Sequence, residues 1–298
     1  MLKREGLRLP MLLLGAILML LFAAGLLLDE TVSRFLYSET PTGFGKIFAA
    51  LGELPAFLLM ESAGLILILR RGKSTKAKDI FFLLGGIAMI LQGFLAQIME
   101  MCEDLASVSV TDAGIVTLVL YVLNGVFTLR CQKNLTREDA LRFVMTVLFV
   151  CAVSMVAANA VKIPWGRPRM YFLASEPTAE FVPWYRPGTE LKKQFVAQGV
   201  KADAFRSFPS GHVTTAACSL LWTLYPFMHP KFEGKGRLLF LFSLVWTALV
   251  TLSRLTMGAH FLTDVSFSWF FVWLLYLISL PIFYRDSKLF FRIYKILT

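Results

Sequence analysis

Long apolar runs recur along the whole chain, and they restrict its possible folds more than any other feature. A helix needs about 20 apolar residues to cross the hydrocarbon core of a bilayer, which is about 30 Å thick. Eight stretches meet this requirement, and the fourth is the shortest. They lie at roughly 10–28, 45–69, 80–100, 114–129, 141–161, 210–228, 237–255 and 261–284. With 57% of its 298 residues hydrophobic, the chain is predicted to be an all-α, polytopic membrane helix bundle of about eight transmembrane helices.

The basic residues alternate between loops. A formal net charge of +10 would suit a nucleic-acid partner, but 19 of the 30 Lys and Arg residues lie in five segments that eight spans place on one side. These segments are the N-terminus, 70–79, 130–142, 229–237 and the C-terminal tail. The positive-inside rule makes that side cytoplasmic. We therefore expect both termini in the cytoplasm and no nucleic-acid partner.

No internal repeat or flexible linker divides the chain, so one bundle is expected. The single long stretch outside the predicted spans, 162–209, faces outward by parity and is rich in Pro, Trp, Tyr and charged residues. We expect it to fold over another part of the protein, because long structureless loops are uncommon. The first span could be a signal peptide cleaved near FAAG (22–25), but its apolar run of 19 residues favours a retained anchor.

Three polar clusters lie at the outer ends of the predicted spans. KIPWGRPRM begins at Lys162, FPSGH covers 208–212 and SRLTMGAHFLTD covers 253–264. Each has a simpler explanation when taken alone: Lys162 or Arg169 could be an interfacial anchor, and PSGH could be a turn with a helix cap. Together they bring complementary chemistry to one face of the membrane, which favours a functional site.

The spacing of His260 and Asp264 predicts a hydrogen-bonded pair. Residues at i and i+4 share a helix face, so the carboxylate is expected to accept a hydrogen bond from one ring nitrogen. The other nitrogen then becomes a nucleophile. His212 is the remaining titratable group, and its position suits protonation of a leaving oxygen followed by deprotonation of water.

The same clusters supply the donors that a phosphoryl group needs. The cations are Lys162, Arg169 and Arg254. The neutral donors lie at a predicted helix start and are supplied by Ser210, Gly211 and His212. Three charged phosphoryl oxygens are stabilised by such a set. The four cysteines show no spacing typical of a disulfide or a metal site, and no metal or other cofactor is expected.

At these residues the chain resembles the type 2 phosphatidic acid phosphatase superfamily, which includes bacterial acid phosphatases and vanadium haloperoxidases. Its first motif, Lys, six residues, Arg-Pro, is matched by Lys162 and Arg169, with Met170 in place of the final Pro. The second, PSGH, is matched at 209–212. The third, Ser-Arg, five residues, His, three residues, Asp, is matched at 253–264. Three motifs in order make the resemblance specific.

The resemblance implies a metal-independent lipid phosphatase of the cell membrane that works through a phosphohistidine on His260 at the outer face. It covers roughly residues 80–284, which are expected to form a six-helix catalytic core with an extracytoplasmic loop over the site. Residues 1–79 would add two accessory spans, and 285–298 would be a basic cytoplasmic tail.

The substrate class stays open between several lipid phosphates. Phosphatidate, phosphatidylglycerophosphate, undecaprenyl diphosphate and lysophospholipid phosphates all present a phosphoryl group at the interface, and the compact loops favour envelope lipids. Alternatives are a phosphotransferase that passes the group to a lipid or sugar hydroxyl, a haloperoxidase, and a non-catalytic membrane protein. The sequence predicts no oligomeric state.

Two further groups of residues stand outside the motifs. Trp184, Tyr185 and Arg186 suit the headgroup level of a bilayer, and we expect this loop to cover the phosphate pocket and select lipids, although it could be only an anchor. Four polar residues within the predicted spans are expected to form interhelical hydrogen bonds, in preference to a proton or substrate path. These are Glu53, Glu61, Gln92 and Gln97.

Overall fold

A computed structural model describes residue 2 and residues 5–70, 75–105 and 107–284. Within these ranges the chain is helical and without strands, as the apolar runs predict. The α-helices are α1 Arg8–Leu36, α2 Gly43–Ala50, α3 Leu54–Leu69, α4 Lys76–Asp104, α5 Val110–Cys131, α6 Arg137–Trp165, α7 Met170–Ser175, α8 Thr189–Ala197, α9 Gly211–Ala217, α10 Tyr225–Met228, α11 Gly236–Thr256 and α12 Leu262–Phe283. The expected basic tail, 285–298, lies outside the described residues.

Seven helical segments of the described chain are long and apolar enough to cross a membrane, so the protein is a multi-pass membrane protein. They are Arg8–Leu36, Gly43–Leu69, Lys76–Asp104, Val110–Cys131, Arg137–Ser175, Gly236–Thr256 and Leu262–Phe283. Side-chain caps begin three of them, because Thr42 accepts from Gly45 N, Ser109 accepts from Asp112 N and Thr136 accepts from Asp139 N. These bonds satisfy backbone donors that the first helical turn leaves unpaired.

The predicted sixth span, 210–228, is not a single α-helix. For this reason the described chain has seven helical segments that could span a membrane, one fewer than the eight predicted from the sequence. The sixth span consists of α9, a 3₁₀ helix at Cys218–Leu224, and α10. Thr214 and Thr223 donate to backbone carbonyls at 2.7 and 2.6 Å, a competition that disturbs α-helical geometry. Because a 3₁₀ helix rises about 2.0 Å per residue, this short segment still extends about 30 Å across the bundle.

The basic loops meet at one end of the bundle, as their alternation predicts. Three contacts place them there: Glu5 with Gly236 (3.0 Å), Arg70 with Gln132 (2.8 Å) and Arg142 with Phe283 (2.5 Å). The three polar clusters lie at the opposite end. Lys3, Arg4, Arg71 and Lys73 belong to the same predicted basic segments but lie outside the described residues.

The segment after α6, which the sequence predicts to face outward, folds into a compact cap. It contains α7, α8 and a 3₁₀ helix at Ala202–Phe205. Phe172 packs on Phe195 and Phe205 with ring centroids 5.2 and 4.9 Å apart, and this cluster includes Phe261, the residue before α12. The cap therefore folds over the start of α12, as expected for this stretch.

The helices before residue 79 pack directly on those after it. Trp273 of α12 donates to the Met11 carbonyl of α1 at 3.0 Å. Gln97 donates to Ala50 O at 2.8 Å, and Asn124 donates to Glu61 at 2.9 Å. The expected interhelical hydrogen bonds are thus confirmed for Glu61 and Gln97.

Helices α3 and α4 approach each other through a pair of glycines. A Cβ on Gly64 would lie 2.6 Å from Gly86 O, and a Cβ on Gly86 would lie 2.6 Å from Gly64 O. Small residues allow this close approach of backbones, which is a main source of helix association in lipid. Gly85, the neighbour of Gly86, has only an ordinary contact with Leu67 at 3.6 Å.

Gly86→Ala is therefore expected to lower the thermal unfolding temperature of the detergent-solubilised protein. The added methyl would force the two backbones apart, and overpacking costs about 1–3 kcal/mol. Gly85→Ala is the matched control, because it adds the same methyl one residue away, where it meets only an ordinary contact with Leu67. Equal unfolding temperatures for the two variants would contradict the close packing of α3 and α4.

Candidate functional site

The three polar clusters converge on one cavity of about 830 Å³ at the end of the bundle opposite the basic loops. Six of the eight predicted chemical residues line it: Lys162, Arg169, Gly211, His212, Arg254 and His260. The other two, Ser210 and Asp264, lie behind its wall and are fully buried. The structure thus brings together residues that are up to 98 positions apart in the chain.

The positive charges of the cavity come from the ends of two spans. Lys162 lies in the last turn of α6 and Arg254 in the last turn of α11, and both side chains are buried. Arg169, just after α6, forms an ion pair with Asp203 at 3.1 Å. Arg206 also lines the cavity and was not singled out in the sequence, although it lies four residues before Ser210.

The start of α9 forms the wall beside these cations. A Cβ on Gly211 would lie 3.4 Å from Lys162 Nζ, so the glycine lets the ammonium approach the backbone. Ser210 is the N-cap of α9, and its hydroxyl accepts from Val213 N at 3.4 Å. The cap uses the hydroxyl only as an acceptor, so its proton is still available for the donor role that the sequence predicted.

His260 is held by a backbone carbonyl. Its Nδ1 lies 2.6 Å from Ser207 O, and because a carbonyl only accepts, Nδ1 carries the proton. Nε2 is then left with a free electron pair. Burial lowers the pKa of His260 well below its usual value, so the ring is neutral. A neutral imidazole with a fixed tautomer and a free Nε2 fits the predicted nucleophile.

Asp264 does not make the predicted direct hydrogen bond to His260. Its Oδ2 lies 3.8 Å from Nδ1, beyond hydrogen-bond distance. The i, i+4 argument fails because α12 begins at Leu262, so that His260 precedes the helix. Asp264 accepts from Phe261 N at 2.7 Å, as a helix-capping carboxylate, and from Ser207 Oγ at 2.5 Å. Asp264 therefore holds Ser207, whose carbonyl holds His260, and its carboxylate also lies near the ring.

Arg167 is the main residue that the sequence reasoning missed. It is fully buried, forms an ion pair with Asp264, and lies 4.3 Å from the centre of the Phe261 ring. Its other carboxylate partner is Asp29 of α1, at 2.8 Å. The signal available in the sequence was a second arginine in WGRPRM, two residues before the one that the motif contains.

His212 faces carboxylates from helices that the resemblance placed outside or at the edge of the core. Nε2 lies 3.0 Å from Glu100 and 3.9 Å from Asp104, and Nδ1 lies 3.8 Å from Glu53. Glu53 and Gln92 also line the cavity, and Glu53 has a side-chain hydrogen bond with Thr215 of α9, in keeping with the expected interhelical role. When His212 is protonated, these carboxylates neutralise its charge.

Glu53, Glu100 and His212 are also the group in the described chain that could hold a metal ion. Each offers one ligand atom, and these atoms lie within 4.8 Å of one another. Two carboxylates and an imidazole suit a divalent cation. The 3.0 Å contact between His212 and Glu100 is equally an ordinary ion-pair distance, which needs no metal.

The loop predicted to cover the pocket lies elsewhere. Trp184 packs on Phe22 of α1 and on Phe208, with ring centroids 4.9 and 5.7 Å apart, and its carbonyl accepts from Trp165 Nε1. Tyr185 is 63% exposed and Arg186 lines a separate hollow. Within the described chain none of the three lines the 830 Å³ cavity, which agrees with the anchoring alternative.

Comparison with known proteins identifies one family. The family model described as "PAP2 superfamily" matches residues 143–288, from α6 onward. No curated protein and no solved structure matched the chain. The matched range begins later than the expected core boundary at residue 80, and it contains all three polar clusters.

The cation cluster predicts an anion site that can be measured by itself. Arg254→Met is expected to weaken binding of inorganic phosphate about tenfold to a hundredfold, because a hydrogen bond to a charged group contributes about 1.5–3 kcal/mol. Titration calorimetry of the purified protein measures the dissociation constant. Lys193→Met is the control, since Lys193 is exposed and paired with Glu190 away from the cavity. A similar loss in both variants would show only a nonspecific charge effect.

Proposed function

The chain belongs to the PAP2 superfamily, and we propose that it hydrolyses a lipid phosphate through a phosphohistidine on His260. Phosphatase activity on phosphate esters is the activity that the family supports. The observation that carries the proposal is the neutral His260, which Ser207 O holds so that its Nε2 is free. His260 lies on the wall of a cavity that also contains the buried cations Lys162 and Arg254.

In the first step, Nε2 of His260 attacks phosphorus while the bond from phosphorus to the leaving oxygen breaks. Lys162, Arg169 and Arg254 bind the phosphoryl oxygens and stabilise their charge in the transition state. His212, in its protonated form beside Glu100, donates a proton to the leaving oxygen. As positive charge develops on the imidazole of His260, the Ser207 carbonyl and the nearby Asp264 carboxylate stabilise it.

In the second step, water attacks the phosphohistidine. His212, now without the proton it gave away, takes one from the water, and phosphate leaves with its bond to Nε2 broken. The first and second steps therefore return both histidines to their starting protonation states. Glu100 and Glu53 keep His212 in place through both steps.

The walls of the cavity favour a substrate that comes from the bilayer. Below the charged end the lining becomes apolar, with Met60 of α3 and Ala152, Met155 and Val156 of α6. Val156 is 69% exposed on the outer surface of the bundle, so the cavity reaches the side that faces lipid. An apolar chain fits this side while its phosphate reaches the cations.

The proposed orientation places the cavity at the outer face of the cell membrane. The basic loops lie together at the opposite end of the bundle, and positive loops are retained in the cytoplasm. Both termini are then cytoplasmic. A phosphatase site on the outer side suits lipid phosphates that are exposed at that surface.

His260→Ala is expected to abolish phosphate release from a panel of lipid phosphates, because no other group in the cavity has a free ring nitrogen held in this way. The purified variant should retain the unfolding temperature of the wild type. Rapid acid-free quenching with ³²P-labelled substrate should trap acid-labile phosphate on the wild type. Equal trapping on His260→Ala would contradict the assignment.

His212→Ala is expected to slow turnover of a lipid phosphate about a hundredfold or more, and that of nitrophenyl phosphate much less, because nitrophenolate leaves without a proton. The ratio of the two kcat values, measured in EDTA, is the readout. Equal losses on both substrates would argue against the acid role. Activity that EDTA abolishes and a divalent cation restores would instead place a metal on Glu53, Glu100 and His212.

A further inference from the structure

A buried carboxylate on the first helix is connected to the site through a short series of contacts. Asp29 lies on α1, before the range that matches the family model, and is 5% exposed. Its Oδ2 lies 2.8 Å from Nη2 of Arg167, and its Oδ1 accepts from Thr263 N at 2.8 Å. The Thr263 hydroxyl also donates to it. Asp29 thus contacts both the first motif segment and the start of α12.

Arg167 connects Asp29 to Asp264, because its guanidinium binds both carboxylates. Its Nη1 donates to one oxygen of Asp264, Oδ1, and its Nε donates to Val182 O at 2.8 Å. The other oxygen, Oδ2, stays available for Ser207 Oγ and Phe261 N. Ser207 in turn holds Nδ1 of His260 through its carbonyl. The series from Asp29 to His260 therefore contains three intervening side chains.

The two oxygens of Asp264 bind different partners, and this arrangement depends on Asp29. An arginine prefers to bind one carboxylate through both terminal nitrogens. Here Nη2 of Arg167 binds Asp29, so that only Nη1 contacts Asp264. Without the Asp29 charge, Arg167 would rotate toward Asp264 and compete for Oδ2. Ser207 would then lose its acceptor, and the carbonyl that holds His260 would move.

We propose that Asp29 is a positioning residue for His260, acting through Arg167, Asp264 and Ser207, and that this is a function of the first helix. The inference rests on the proposed function, because it assigns Asp29 to the step in which His260 attacks. Asp29 does not line the cavity, so its proposed role does not require contact with the substrate.

Asp29→Asn tests the proposal, because it keeps the shape and removes the charge. A shift of about 1 Å in a reacting group can cost about a hundredfold in rate. We expect kcat to fall about tenfold to a hundredfold, and KM to change less than threefold because the phosphate-binding cations stay in place. Ser33→Ala is the matched control: Ser33 lies one turn later on α1, is equally buried, and its hydroxyl has no hydrogen-bond partner.

A double-mutant cycle distinguishes positioning from a general loss of stability. If Asp29 acts through Ser207, the kcat losses of Asp29→Asn and Ser207→Ala should not add in the double variant. Additive losses would overturn the proposal, as would a KM increase with unchanged kcat. Should Asp29→Asn fail to give a monodisperse protein, Asp29→Glu keeps the charge but displaces the carboxylate, and the same kcat loss and non-additivity are expected.

An NMR measurement makes the test independent of turnover. With ¹⁵N-labelled histidine, the Nδ1–H signal of His260, identified by its loss in His260→Ala, should shift in Asp29→Asn and stay in place in Ser33→Ala. An unchanged signal in Asp29→Asn would overturn the link. If the wild type released no phosphate from any ester, the proposed function would fail, while the NMR result would still decide whether Asp29 positions His260.

Discussion

The guanidinium of Arg167 between the carboxylates of Asp29 and Asp264 is the interaction on which the rest of the site depends. All three side chains are buried, and burying charges is costly unless each is paired and hydrogen-bonded. Pairing them requires α1, the segment after α6 and the start of α12 to meet at one point. The cap over the site and the orientation of His260 both follow from that requirement.

The site has two parts with different physical tasks. On one side His260 is held by Ser207, which is held by Asp264 and Arg167, so that in the proposed mechanism the nucleophile does not reorganise during attack. On the other side an open cavity presents cations for the phosphoryl group and an apolar wall for the rest of the substrate. His212, between the carboxylates of α3 and α4, belongs to the open part, where a proton must be exchanged with substrate and water.

Much of this arrangement can be predicted from the sequence, because its signals are local. Apolar runs indicate the spans, and the motifs indicate the cations, His212 and His260. Contacts between distant residues carry no such signal: Asp29 and Arg167 are 138 positions apart. The expected bond from Asp264 to His260 was wrong because it assumed that the helix already includes His260. The broken helix at 211–228 was missed because hydropathy does not distinguish α from 3₁₀ geometry.

The central claim is that Nε2 of His260 attacks a phosphoryl group bound by the cavity cations. A structure of the protein with vanadate, which mimics the transition state of phosphoryl transfer, tests it most directly. The account predicts vanadium bonded to Nε2 of His260, with its oxygens contacted by Lys162, Arg169 and Arg254. Vanadium bonded to His212, or bound at Glu53 and Glu100 with His260 free, would contradict it.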